Sequence, residues 1–143
     1  LEKIITKFNG KLKGKRIAIW GLAFKPDTDD MREAPSRILI EGLWSHDATV
    51  TAYDPAAMEE ARRVFGNDPR LQFADTAYSA LENADALVIV TEWKTFRSPD
   101  FSLIKSKLKQ PIIFDGRNMY DPGSIRAEGI EYYPIGRNEC LLP

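Results

Sequence analysis

With 143 residues, 43% of them hydrophobic and 29% charged, the sequence has enough apolar material for one folded domain. A formal net charge of −1 offers no sequence-wide attraction to nucleic acid or anionic membrane, and no apolar run approaches the ~18 residues of a transmembrane helix. The single cysteine excludes an intramolecular disulfide framework and no signal-peptide layout opens the chain, so a cytoplasmic setting is expected.

The first residues read as a helix, with Leu1, Ile4, Ile5 and Phe8 on one face and Glu2, Lys3 and Lys7 elsewhere. A chain that starts inside a helix, without methionine, is expected to be a fragment whose missing part lies upstream. Residues 1–14 are read as the end of a linking helix plus a Lys/Gly linker, 15–137 as the domain, and 138–143 as a tail.

From Lys15 onward, strand patterns alternate with helical ones. Strands are predicted at Arg16 to Trp20, Thr49 to Tyr53, Leu71 to Phe73, Ala86 to Val90, Ile112 to Phe114 and Glu131 to Tyr133. The run Ala86-Leu87-Val88-Ile89-Val90 has no polar alternation, which suits a strand covered on both faces. An amphipathic helix starts near Pro35. Asp54-Pro55 supplies an N-cap and an N1 proline for a helix over Ala56 to Phe65. Asp100 caps a helix carrying Phe101, Ile104 and Leu108, and Asp121-Pro122 precedes a helix over Gly123 to Glu128 that Gly129 closes. The expected fold is therefore α/β, a Rossmann-like doubly wound and mostly parallel sheet with helices on both faces.

Such sheets bind ligands outside the carboxyl ends of their strands. The loop after Trp20 has the setting of a nucleotide-binding turn but only Gly21 where G-x-G-x-x-G needs three glycines. It offers instead two long cations, Lys25 and Arg32, mixed with Asp27, Asp29 and Asp30. The loop after Phe114 reads Asp115-Gly116-Arg117-Asn118, where a glycine lets the backbone turn and a guanidinium can reach a phosphate. For these cations a ligand contact and a solvated charged loop both remain open. Asp54 ends the second strand, where a dinucleotide-binding unit keeps its ribose acid, yet Pro55 and the missing glycines favour a helix cap. Cys140 has no neighbouring base, and one Cys with one His, His46, gives no dedicated zinc site. Trp93 and Phe96 read as core or subunit contacts. A receiver-like module binding magnesium through the Asp27–Asp30 acids is the alternative of another class, although Val90 stands where its acceptor aspartate would be.

The string from Phe24 to Ser36 closely resembles the opening motif of the C-terminal domain of the UDP-glucose/GDP-mannose dehydrogenases, nearest the UDP-glucose 6-dehydrogenase branch. Tyr53-Asp54-Pro55, Thr91-Glu92-Trp93 with Phe96, Phe114 to Asn118 and Ile135-Gly136-Arg137 follow in the family's order. The resemblance implies the substrate-binding part of an enzyme that oxidises a nucleotide-sugar, UDP-glucose to UDP-glucuronate in the nearest branch, by two hydride transfers to NAD. UDP-N-acetylmannosamine or GDP-mannose are the alternative substrates. It implies that Phe24, Lys25 and Arg117 contact the nucleotide-sugar and that Arg32 reaches the cofactor across an interdomain cleft. No catalytic residue is expected in this chain, because the catalytic cysteine and the main NAD domain of the family lie upstream. The fragment alone is expected to be inactive, and the full protein to be a homodimer or larger, with no metal, nucleic acid or membrane partner.

Overall fold

The structure is a computed structural model that describes residues 1–32 and 34–134. Six strands form one sheet: β1 (Arg16–Trp20), β2 (Thr49–Tyr53), β3 (Leu71–Phe73), β4 (Ala86–Ile89), β5 (Ile112–Asp115) and β6 (Glu131–Pro134). Their spatial order is β3-β2-β1-β4-β5-β6, and every pairing is parallel. The sheet grows one way from β1 to β3, then the chain returns to the other side of β1. That reversal between β1 and β4 is the switch point of a doubly wound fold.

Alternation along β1 explains how the sheet is covered. Ile17 and Ile19 point into one apolar cluster, and Ala18 and Trp20 into the other. The first cluster is closed by α1 (Glu2–Lys7), α2 (Pro35–Ser45) and α3 (Met58–Phe65), the second by α4 (Phe101–Lys107), α5 (Pro122–Ala127) and the short turns at Ser79–Leu81 and Lys94–Phe96. Both faces of β4 are buried, as its unbroken apolar run requires. Ile4, Phe8 and Leu12 belong to the first cluster, so the opening segment packs into the core. Lys3 Nζ donates to the Pro134 carbonyl at 2.6 Å and Lys7 Nζ lies 2.6 Å from Glu131 Oε2, fastening α1 along β6.

The predicted caps at Asp100 and Asp121 form: each side chain accepts the amide of the residue three further on, Leu103 and Ser124. Gly129 closes α5 with φ +78°. Asp54 departs from expectation. Its Oδ1 accepts the Ala56 and Ala57 amides at 2.7 and 2.8 Å, but this makes a turn ahead of the helix, and α3 starts only at Met58. Helix α5 likewise begins at Pro122, one residue before the predicted start. Among the described residues, no helix is long and apolar enough to cross a membrane.

Candidate functional site

Three loops leave the carboxyl edge of the sheet around the switch point, after β1, β4 and β5. Their bases are rigid for reasons that can be named. Gly21 adopts φ +94°, and a Cβ there would stand 2.5 Å from Thr91 Cβ and 2.6 Å from its backbone nitrogen. Only glycine allows the β1 and β4 loops to approach this closely. Thr91 Oγ1 then donates to the Ala23 carbonyl and Ser36 Oγ to the Leu22 carbonyl, each at 2.7 Å. The Leu22 and Ala23 amides donate to Asp54 Oδ2 at 2.7 and 3.1 Å. The same oxygen accepts Trp93 Nε1 at 3.2 Å.

Beyond this fixed stem the β1 loop turns outward. Phe24 is 42% exposed, an unusual position for a phenyl ring, and Lys25 is exposed beside it. Arg32 folds back on Asp30, its Nε at 3.1 Å from Oδ1 and an Nη at 2.9 Å from Oδ2. The hydrogen bonds from the Arg32 side chain, then from its backbone amide, hold the Asp30 carboxyl down to about 2. Asp30 in turn raises the Arg32 guanidinium through the same contact. The acids of this loop make no metal cradle: among the described residues no group of three or more His, Cys, Asp or Glu side chains is placed to hold an ion.

The β5 loop is built on Asp115, which is fully buried. Asp115 Oδ1 accepts the Arg117 amide at 2.8 Å, and Oδ2 accepts the Met119 amide at 2.7 Å and the Tyr132 hydroxyl at 2.6 Å. Gly116 donates to the Ile89 carbonyl at 2.8 Å. The left-handed residue in this turn is Asn118, at φ +55°, and not Gly116, so the expected role of that glycine passes to the asparagine two residues on. Arg117 emerges with Nε 2.7 Å from Glu92 Oε2, the two side chains 33% and 34% exposed. Glu92 follows β4, so this ion pair joins two of the three loops.

A cavity of ≈ 580 Å³ opens over the carboxyl ends of β4 and β5, between the start of α1 and α2. Ile4, Ile38, Leu39, Val90 and Tyr133 give it apolar walls, and Arg117 lines it as a cation. Phe24 and Lys25 do not line this cavity, and Arg32 lines a separate depression of ≈ 470 Å³ with Arg37, Asp29 and Glu60. The predicted site residues thus share one edge of the sheet without sharing one pocket among the described residues. Phe96 lies in the interior, fully buried and stacked on Trp20 at 4.9 Å, while Trp93 is only partly buried against the same cluster. His46 Nδ1 sits 3.0 Å from the Gly42 carbonyl at the end of α2. Cys140, the 138–143 tail and Ile135-Gly136-Arg137 lie outside the described residues.

Sequence reasoning missed Glu92 and the full reach of Asp54. The Thr91-Glu92-Trp93 string was the available signal, an acid and an indole donor directly after a buried strand.

The pattern described as the UDP binding domain of the UDP-glucose/GDP-mannose dehydrogenase family matches residues 18–122. A UDP-glucose 6-dehydrogenase of Pseudomonas aeruginosa is 47% identical over 139 residues, 95% of this chain and 31% of that relative. One of Rhizobium meliloti is 43% identical over 95% of this chain and 30% of its own length. The chain therefore spans under a third of these curated relatives. Among solved structures, an NDP-N-acetyl-D-galactosaminuronic acid dehydrogenase from Methanosarcina mazei superposes with TM-score 0.78 at 28% identity, over 97% of this chain and 28% of that one. A UDP-glucose dehydrogenase from Pyrobaculum islandicum superposes with TM-score 0.73 at 28% identity, over 92% of this chain and 27% of that one.

Proposed function

This chain belongs to the UDP-glucose/GDP-mannose dehydrogenase family as its UDP binding domain, and from that premise we propose that it holds the substrate of an NAD-dependent UDP-glucose 6-dehydrogenase. In the whole protein the C6 alcohol of UDP-glucose becomes a carboxylate through two hydride transfers to NAD, with the reacting thiol supplied from upstream. This domain's share is to bind and orient. Residues 15–137 form the binding unit, with 1–14 leading in from the linking region, and the whole protein assembles as a homodimer or larger.

One observation carries the assignment: Arg117 and Lys25 rise from loops on either side of β4. Strands β1 and β5 both pair with β4, so their ends are about 10 Å apart. Two long side chains converge easily over that gap onto a diphosphate. The Arg117 cavity, with its apolar walls, offers room for the flat base and sugar, and exposed Phe24 supplies a ring beside Lys25. Closure by the upstream part brings the two cations to one ligand. Glu92 takes the Nε side of Arg117 and leaves its Nη groups for phosphate oxygens.

NAD fits this chain as a neighbour and not as a guest. The β1 turn lacks the glycine fingerprint, and its Leu22 and Ala23 amides are already taken by Asp54. Exposed Arg32 is the group that would meet the cofactor held on the upstream domain.

The test is direct. Full-length protein should form about two NADH per UDP-glucose, whereas the isolated chain should form none. Lys25→Ala and Arg117→Ala should each weaken UDP binding by roughly ten- to a hundredfold, the equivalent of losing one charge-assisted contact. UDP-N-acetylmannosamine and GDP-mannose serve as competing substrates. A full-length enzyme that ignores every nucleotide-sugar refutes the assignment.

A further inference from the structure

At a nucleotide-binding turn the amides that follow the first strand converge on a ligand phosphate. Here the corresponding amides converge on a side chain of the protein itself. Asp54 is fully buried and gathers five N–H donors, Leu22, Ala23 and Trp93 Nε1 on Oδ2, and Ala56 and Ala57 on Oδ1. A cap needs only the last two. The other three come from loops 31 to 39 residues away in sequence and have no bearing on starting α3.

We infer that Asp54 is a positioning residue for the proposed diphosphate site, a built-in anion that stands in place of a bound phosphate and sets the spacing of the two cation-bearing loops. This rests on the function proposed above. On one side Asp54 fixes Leu22 and Ala23, the stem from which Phe24 and Lys25 project. On the other it fixes Trp93, whose neighbour Glu92 lies 2.7 Å from Arg117. One carboxylate thus governs where Lys25 and Arg117 stand relative to each other. It also closes the β1 turn to any external phosphate, so the ligand must be gripped by side chains.

Two variants of the full-length protein test this, with UDP affinity read by calorimetry and KM and kcat read with UDP-glucose. Trp93→Phe keeps an aromatic side chain against the second cluster and removes the N–H that reaches Asp54, along with the five-membered ring that carries it. It should leave the protein folded by far-UV circular dichroism and raise both the Kd for UDP and KM by about three- to tenfold, with kcat little changed. Asp54→Ala should raise Kd for UDP by at least about tenfold, and added sodium formate should restore affinity by refilling the carboxylate position. If Asp54→Ala does not fold, Trp93→Phe decides alone. Unchanged UDP affinity in Trp93→Phe overturns the inference, as does formate that raises the melting temperature of Asp54→Ala without restoring binding. Normal UDP affinity in Lys25→Ala and Arg117→Ala would sink the site assignment and this inference together. Impaired binding in those two with an inert Trp93→Phe sinks the inference alone.

Discussion

Replacing Gly21 by alanine should be among the most damaging single-methyl changes available to this chain. The substitution puts an L-residue at φ +94°, which costs about 1–2 kcal/mol. The new Cβ would lie 2.5 Å from Thr91 Cβ and 2.6 Å from the Thr91 backbone nitrogen, so relief requires moving backbone and not a flexible side-chain tip. Forcing an extra carbon into such a place costs a further ~1–3 kcal/mol. Displacing Thr91 also strains the 2.7 Å bond from its hydroxyl to the Ala23 carbonyl, worth about 1 kcal/mol. The total is about 3–6 kcal/mol, a large part of the ~5–15 kcal/mol that holds a typical domain together. Urea unfolding of the 143-residue chain, followed by far-UV circular dichroism, measures the loss as a lowered midpoint at constant slope. Gly14→Ala is the control, since Gly14 has φ +79° with nothing within 4 Å of the added Cβ, and only the backbone cost of ~1–2 kcal/mol applies. Equal losses for the two variants would show that the contact with Thr91 has no energetic weight and would refute the reasoning.

The Lys7–Glu131 contact should make the docking of α1 pH-dependent. Burial raises the Glu131 carboxyl, but the Lys7 ammonium and the Tyr133 hydroxyl outweigh it and hold the group below its usual 4.5. Its stabilising contribution is therefore present above pH 4.5 and lost as pH falls through the lower folded value; amide protection factors at Ile5 and Phe8 should fall over that window in wild type and not in Glu131→Gln. Tyr132→Phe removes the 2.6 Å bond to buried Asp115 and should cost about 1–3 kcal/mol in urea unfolding. Asp100→Ala removes the cap of α4 and should cost about 1 kcal/mol by the same measurement. UDP affinity of the full-length protein should fall with added salt and should fall less steeply in Arg117→Ala, as calorimetry in a salt series would report.

What was legible in the sequence was local. Strands β1, β2 and β3 begin and end at the predicted residues, because short apolar runs bounded by turn residues define their own limits. Strand β4 stops at Ile89, one residue early. Val90 still donates to the Trp20 carbonyl, but the chain then swings toward Thr91 and Glu92. Asp100 and Asp121 were readable as caps since each acts on an amide three residues ahead. Asp54 looked like the same device. Its decisive partners, Leu22, Ala23 and Trp93, are distant in sequence and mostly backbone amides, which carry no residue signature. The Arg117–Glu92 pair was hidden for a related reason, because it exists only once β4 and β5 lie side by side. The family motifs singled out Lys25 and Arg117, yet they could not say that Arg117 would line a cavity that Lys25 does not line.

The three tryptophans happen to be distributed as a set of optical reporters. Trp20 is sealed in one layer against Phe96, and Trp44 sits in the opposite layer under the Arg70 guanidinium, 4.2 Å from its ring. Trp93 packs half-buried against the same layer as Trp20, and its indole nitrogen is wired to the carboxylate at the switch point. Emission from single-tryptophan versions of this chain would therefore resolve whether the two layers melt as one body, while the third indole watches the loops.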